Sequence, residues 1–132
     1  MGDMTISTFL MFEGKADEAM TFYVSLFPNS RIVSIKRYGK NKGGAEGSVM
    51  VAEFTLNGHA MMCIDSPAKH AFTFTPATSI YVACADEAEI DRLYKNLSDR
   101  GSLLMPLAAY PFSKKFGWIA DRFGVSWQLN LA

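Results

Sequence analysis

Residues Ser48 to Asp65 read "SVMVAEFTLNGHAMMCID". Two strand-like runs flank the dipeptide Asn57–Gly58, the strongest short hairpin signal, because a two-residue turn of this kind needs positive φ at both positions. In the first run, Val49, Val51, Glu53 and Thr55 share one face. Met50, Ala52, Phe54 and Leu56 share the other, the face expected to lie against a helix.

Outward from this hairpin, the preceding sequence has a definite order. "TISTFLMFEG", Thr5 to Gly14, reads as a largely buried strand. Ala16, Ala19, Met20, Tyr23 and Phe27 then recur as one apolar helix stripe, opened by Gly14 and ended by Pro28. "SRIVSIKRY" is a strand, and "GKNKGGAEG" is a flexible glycine-rich loop leading back to the hairpin.

After a loop holding Pro67 and Pro76, the order repeats. "TSIYVACA" is a strand. "DEAEIDRLYKNLSDRG" is a helix with Ile90, Leu93, Tyr94 and Leu97 on one face, Asp86 as N-cap and Gly101 at its end. "SLLMPLA", "KFGWIAD" and "VSWQLN" are three further strands. Both helices open on Ala-Asp-Glu-Ala, at Ala16–Ala19 and Ala85–Ala88. The repeated order points to a duplicated βαβββ unit, one module over about residues 5–65 and the other over about 78–131, within a single domain of 132 residues. One helix covers one face of each sheet, so the second face must curl, dimerise or enclose a cavity.

Composition excludes several functional classes. Net charge is zero and the pI is about 6.7, which argues against nucleic acid or an anionic membrane as partner. No apolar run approaches the roughly 20 residues of a membrane span. "MGDMTIS" lacks the regions of a signal peptide, and Ile6 stands where a myristoylation signal wants Ser or Thr. A cytoplasmic protein is expected. Cys63 and Cys84, in apolar runs without a CxxC, read as buried reduced thiols.

The order of elements resembles the vicinal-oxygen-chelate superfamily, which includes glyoxalase I and the bleomycin- and fosfomycin-resistance proteins. Within it, the chain is most similar to the PhnB-like family that carries the name 3-demethylubiquinone-9 3-methyltransferase. "FYVSLFPNS" and "DRFGVSWQ" are the most specific matches, supported by "VMVAEFTLNGHAMMCID", "FTFTPATSIYV" and "EIDRLYKNLSDRG". The resemblance implies an α+β fold: two βαβββ modules forming a cup-shaped mixed sheet with helices outside, often as a homodimer. It also implies metal ligands on the first strand of each module and on a closing strand. Those positions fall on Thr8, Ser79 and Gln128, where Gln128 replaces the Glu of the family's closing pattern. Two hydroxyls and an amide are poor ligands for a catalytic divalent ion, so no metal and no other cofactor is expected.

Other candidates stand beside these. Glu53, if it faces a cavity, is a potential general acid or base; otherwise it meets solvent or Arg37 on the neighbouring strand. Tyr81 and Trp118 suit either a cavity wall or the core. The Ser126–Gln128–Asn130 face belongs to the cup or its rim. His59 reads as an exposed or half-exposed strand residue, His70 as an exposed loop residue, and Lys114 and Lys115 as a solvated pair or an anion contact. The glycines between Gly39 and Gly47 separate two strands, which does not fit the strand-to-helix turn of an S-adenosylmethionine fold. Three readings remain open: a metal-free cup holding an unknown small molecule, an enzyme with an unusual metal set or Glu53 as acid/base, and a dimeric interaction protein whose cavity is self-filled.

Overall fold

The computed structural model describes residues 2–132. The chain divides after His70 into two compact units. The first contains β1 (Thr8–Phe12), α1 (Ala16–Leu26), β2 (Arg31–Arg37), β3 (Val49–Leu56) and β4 (His59–Asp65). The second contains β5 (Ile80–Ala83), α2 (Glu87–Ser98), β6 (Ser102–Tyr110), β7 (Ser113–Ala120) and β8 (Ser126–Leu131). Each unit has one four-stranded mixed sheet, ordered β1-β4-β3-β2 and β5-β8-β7-β6. In each, the first strand runs parallel to the last, and the remaining pairs are antiparallel. Parallel pairing requires a crossover, which the helix and intervening strands supply. The fold is therefore α+β, a βαβββ module made twice.

The Asn57–Gly58 turn forms as read, with φ of 48° and 85° and Leu56 opposite His59. Ala52, Phe54 and Leu56 are buried, as are Met61 and Cys63 across the ladder. The alternation breaks at its start. Lys36 pairs with Val51 but Arg37 with Val49, so Met50 is an extra residue in a β-bulge, and Val49 rather than Met50 turns into the core.

In α1, Ala16, Ala19, Met20 and Tyr23 are fully buried. Phe27 differs from expectation: it leaves the helix with extended φ/ψ, and Leu26 takes the last buried position. Lys15, at the N-cap, makes no side-chain cap. That role falls to Asp65, whose Oδ1 accepts from Gly14 N (2.8 Å) and Ala16 N (2.9 Å) and whose Oδ2 accepts from Val49 N (3.1 Å). One buried carboxylate thus ties the start of α1 to β3 and β4. Arg37 pairs with Asp17 at 2.5 and 2.9 Å, not with Glu53. The hydrogen bond from Arg37 holds the Asp17 carboxyl below its usual range. The stability this adds is present above the unfolded-state pKa and is lost as pH falls through the folded value.

In α2, Asp86 caps Glu89 N at 2.9 Å, and Glu89 Oε2 reaches back to Ala85 N at 2.7 Å. Ile90, Leu93 and Leu97 are buried, while Tyr94 is half-buried over Gly117. The left-handed residue after the helix is Arg100 (φ 60°), not Gly101. Gly101 serves a different need: a Cβ there would collide with the Ala120 carbonyl oxygen and lie 3.1 Å from the Asp121 backbone. Backbone cannot swing aside as a side chain does. Gly101→Ala should therefore cost about 1–3 kcal/mol in urea denaturation, whereas Arg100→Gly should be neutral or mildly stabilising. Pro106 is tolerated in β6 because that strand is at the sheet edge.

Cys63 and Cys84 are free and buried. Burial, then the nearby Asp65 charge, pushes the Cys63 thiol up to about 12. Burial, then Glu89, pushes Cys84 up to about 11. Native protein at pH 8 should therefore leave a thiol-reactive disulfide reagent unreacted for hours, and urea-unfolded protein should consume two equivalents at once. Above the ordinary thiol value of 9.0, the unfolded chain loses protons that the folded chain keeps, so stability should fall as pH rises from there.

Candidate functional site

Alternation along β8 places Trp127, Leu129 and Leu131, all buried, on the side that carries α2. Ser126, Gln128 and Asn130 occupy the opposite side, which α2 leaves open. The register then assembles a row across three adjacent strands: Tyr81 on β5 is opposite Gln128 on β8, and Gln128 is opposite Trp118 on β7. Tyr81 is 57% exposed, and Gln128 and Trp118 are half-buried.

Beneath this row runs a hydrogen-bond network. Trp118 Nε1 donates to Ser126 Oγ at 2.8 Å, Ser126 Oγ and Ser79 Oγ are 2.6 Å apart, and Gln128 Nε2 donates to Ser79 Oγ at 3.3 Å. Ser79, Trp118 and Gln128, chosen separately in the sequence, are thus brought together. Ser126, read from the sequence only as one member of a polar strand face, is the hub. Its signal was the polar alternation of "SWQLN", which marks a face but not a partner. Further along the same face, Ser113 Oγ donates to Asn130 Oδ1, and Phe116 packs edge-on against Tyr110 and Phe112.

The strand-to-strand turn that delivers Ser126 is held by Asp121. Its Oδ1 accepts from Phe123 N (2.8 Å) and Val125 N (3.0 Å), and its Oδ2 accepts from the indole of Trp127 (2.8 Å). Gly124, at φ 91°, makes the reversal. Asp121 is 4% exposed. The sequence offered it only as part of a pattern; the structure gives it a mechanical role.

The remaining candidates lie elsewhere. Thr8 is not on an open face. Strand alternation groups it with buried Leu10 and Phe12, on the side carrying α1, where its Oγ1 is 2.9 Å from His59 Nε2. The first-strand side chains on the open side are Phe9 and Met11. Glu53 is on the open side of its own sheet but exposed, with Ser34 Oγ at 3.4 Å, so no apolar enclosure surrounds it. His70 is half-buried with Ser66 Oγ at 2.8 Å, rather than free in a loop. Lys115 is bound to Asp91 of α2 at 2.6 Å, which removes it as an anion contact.

The donor set does not suit a divalent ion. Among the described residues, no three His, Cys, Asp or Glu side chains converge. Around Gln128 the groups are neutral: two hydroxyls, an indole N–H and an amide. These do not supply the imidazole or carboxylate ligands a catalytic ion requires.

Two βαβββ modules, each with a mixed sheet and one helix, are the fold shared with solved fosfomycin-resistance and glyoxalase-related proteins. The fosfomycin resistance protein FosX from Listeria monocytogenes matches with TM-score 0.65 at 10% identity, over 100% of this chain and 95% of its own. A glyoxalase-related enzyme from Fulvimarina pelagi matches with TM-score 0.59 at 14% identity, over 98% and 89%. These likenesses concern the fold. The family is narrower: the model for 3-demethylubiquinone-9 3-methyltransferase matches residues 4–130, and the chain belongs to that PhnB-like family. A PhnB protein from Bacillus cereus is 62% identical over 98% of this chain and 100% of its own, with TM-score 0.95. No curated protein matches the chain.

Proposed function

We propose that the protein binds a small, neutral, partly apolar molecule, without a metal ion, on the open face of its second sheet. The observation that carries this reading is the row Tyr81–Gln128–Trp118 over the Ser79–Ser126 network. Aromatic walls with a few convergent polar groups are the composition of a ligand site. Methyl transfer, despite the family's name, lacks its cofactor turn: the Gly39–Gly47 stretch joins β2 to β3, an antiparallel pair, and no helix N-terminus follows it.

The same reading places the protein in the cytoplasm as a homodimer. In support, among the described residues no helix is long and apolar enough to cross a membrane, and Phe9, Val33, Leu103 and Leu104 are exposed strand residues suited to a protein partner. Light scattering should give twice the 14.6 kDa chain mass; a value of 14.6 kDa at micromolar concentration would remove the dimer.

The binding test uses the two indole N–H signals of the ¹⁵N-labelled protein. A panel of neutral bicyclic aromatics should shift the Trp118 signal saturably and leave that of Trp127, locked to Asp121, in place. No saturable shift from any of the panel would refute the reading.

A further inference from the structure

The hydrogen-bond directions within the site specify which edge of a ligand it meets. An indole N–H only donates, so Trp118 fixes one end of the chain by donating to Ser126 Oγ. A hydroxyl has one proton and two lone pairs. Between Ser126 and Ser79, 2.6 Å apart, either oxygen can be the donor. If Ser79 donated, Ser126 would accept twice and its own proton would be stranded, yet Ser126 is only 2% exposed. A buried, unpaired hydroxyl proton is costly. Ser126 therefore donates to Ser79. Ser79 also accepts from Gln128 Nε2, which fills both its lone pairs and leaves its proton directed outward. Gln128 Oε1, on the other side of the same amide, accepts from no described residue.

The open face thus offers a hydroxyl donor, Ser79 O–H, beside a carbonyl acceptor, Gln128 Oε1. No charged group takes part in the network. Tyr81 and Trp118 flank Gln128 from the two adjacent strands, about 9.5 Å apart at the backbone. One ring stacked between two others needs about 7–8 Å.

Resting on the binding reading above, we infer that the ligand presents a planar lactam-type edge, a ring –NH–C(=O)– whose carbonyl accepts from Ser79 and whose N–H donates to Gln128 Oε1. A carboxylate would set two acceptors against this pair, one of them facing Gln128 Oε1.

Three bicyclic probes test this: 2-quinolone, 1-methyl-2-quinolone and 2-naphthoate, each titrated against the Trp118 indole signal. 2-Quinolone should bind, and the N-methyl compound, which leaves Gln128 Oε1 unanswered, should bind at least about ten-fold more weakly. 2-Naphthoate should not saturate. In Gln128→Met, which keeps the side-chain length but removes the amide, the two quinolones should become equal. Equal affinity in the unmodified protein would mean that the Gln128 amide turns its nitrogen outward, and would overturn the inference while leaving neutral-ligand binding intact. Tighter binding of 2-naphthoate would overturn it in favour of an anion. If neither quinolone binds while another neutral bicyclic moves Trp118, the lactam edge alone fails. If nothing moves Trp118, the binding reading itself fails.

Discussion

Replacing Asp121 with Ala should destabilise the protein by about 3–5 kcal/mol, a large share of the 5–15 kcal/mol available to a domain of this size. The carboxylate accepts from two backbone N–H groups and from the indole of fully buried Trp127. Removing it strands three donors away from water, each of which costs about 1–3 kcal/mol when left unmade, with partial relief as the turn relaxes. Asp121→Asn separates the contributions. Its amide keeps the Oδ1 acceptor for Phe123 and Val125 but sets an N–H₂ group against the Trp127 indole, so about half the loss should remain. A double-mutant cycle sharpens this: Trp127→Phe in the Asp121→Ala background should cost less than in the unmodified protein, because the indole N–H is by then a liability. Equilibrium urea unfolding checks all four variants. Additive costs within about 0.5 kcal/mol would show that the indole contact contributes nothing. The site should suffer before global unfolding, since this turn delivers Ser126 to Ser79 and Trp118.

Asp65→Ala should cost a similar amount, about 3–4 kcal/mol, by a different route. Here all three donors are backbone: Gly14 N and Ala16 N at the start of α1, and Val49 N at the bulged start of β3. Lys15 provides no side-chain cap, so Asp65 does the work of an N-cap residue from 49 residues away in sequence. Loss of the carboxylate should fray the first turn of α1 and loosen the β3 bulge together. Hydrogen exchange of Ala16, Val49 and the first turn of α1 should accelerate, while the amides of α2 keep their protection. Equal acceleration in both helices would show that Asp65 acts on global stability alone.

These two carboxylates mark where the sequence was hard to read. Periodicity carried the helices and strands well, because alternation at 2 and stripes at 3.6 residues are written in single side chains. It placed Ala16, Ala19, Met20 and Tyr23 in the core and found the Asn57–Gly58 turn. The bulge at Met50 was not legible, since an extra residue shows only against a partner strand. Asp65 and Asp121 were missed for the same reason: each is an ordinary acidic residue at a strand end until the amides it accepts from are folded around it. The site lay between these cases. Ser79, Trp118 and Gln128 were named individually, but their meeting depends on the register of β5, β8 and β7, which no local pattern encodes. The Thr8 position follows from counting back from Phe22-Tyr23 in α1, and the pleat turns it to the helix side, because a one-residue difference in register exchanges faces.

Where the family resemblance implies metal ligands, the second sheet carries neutral donors, and the proposed function stands on their recognising a neutral molecule instead. Native mass spectrometry of untagged protein, purified without chelator, tests this most directly. The protein would be exposed to Zn²⁺, Ni²⁺, Mn²⁺ and Fe²⁺ and, separately, to the panel of neutral bicyclic aromatics. The account predicts one organic adduct per chain, weakened in Gln128→Met, and no stoichiometric ion. A stoichiometric ion that disappears in Gln128→Ala would contradict it.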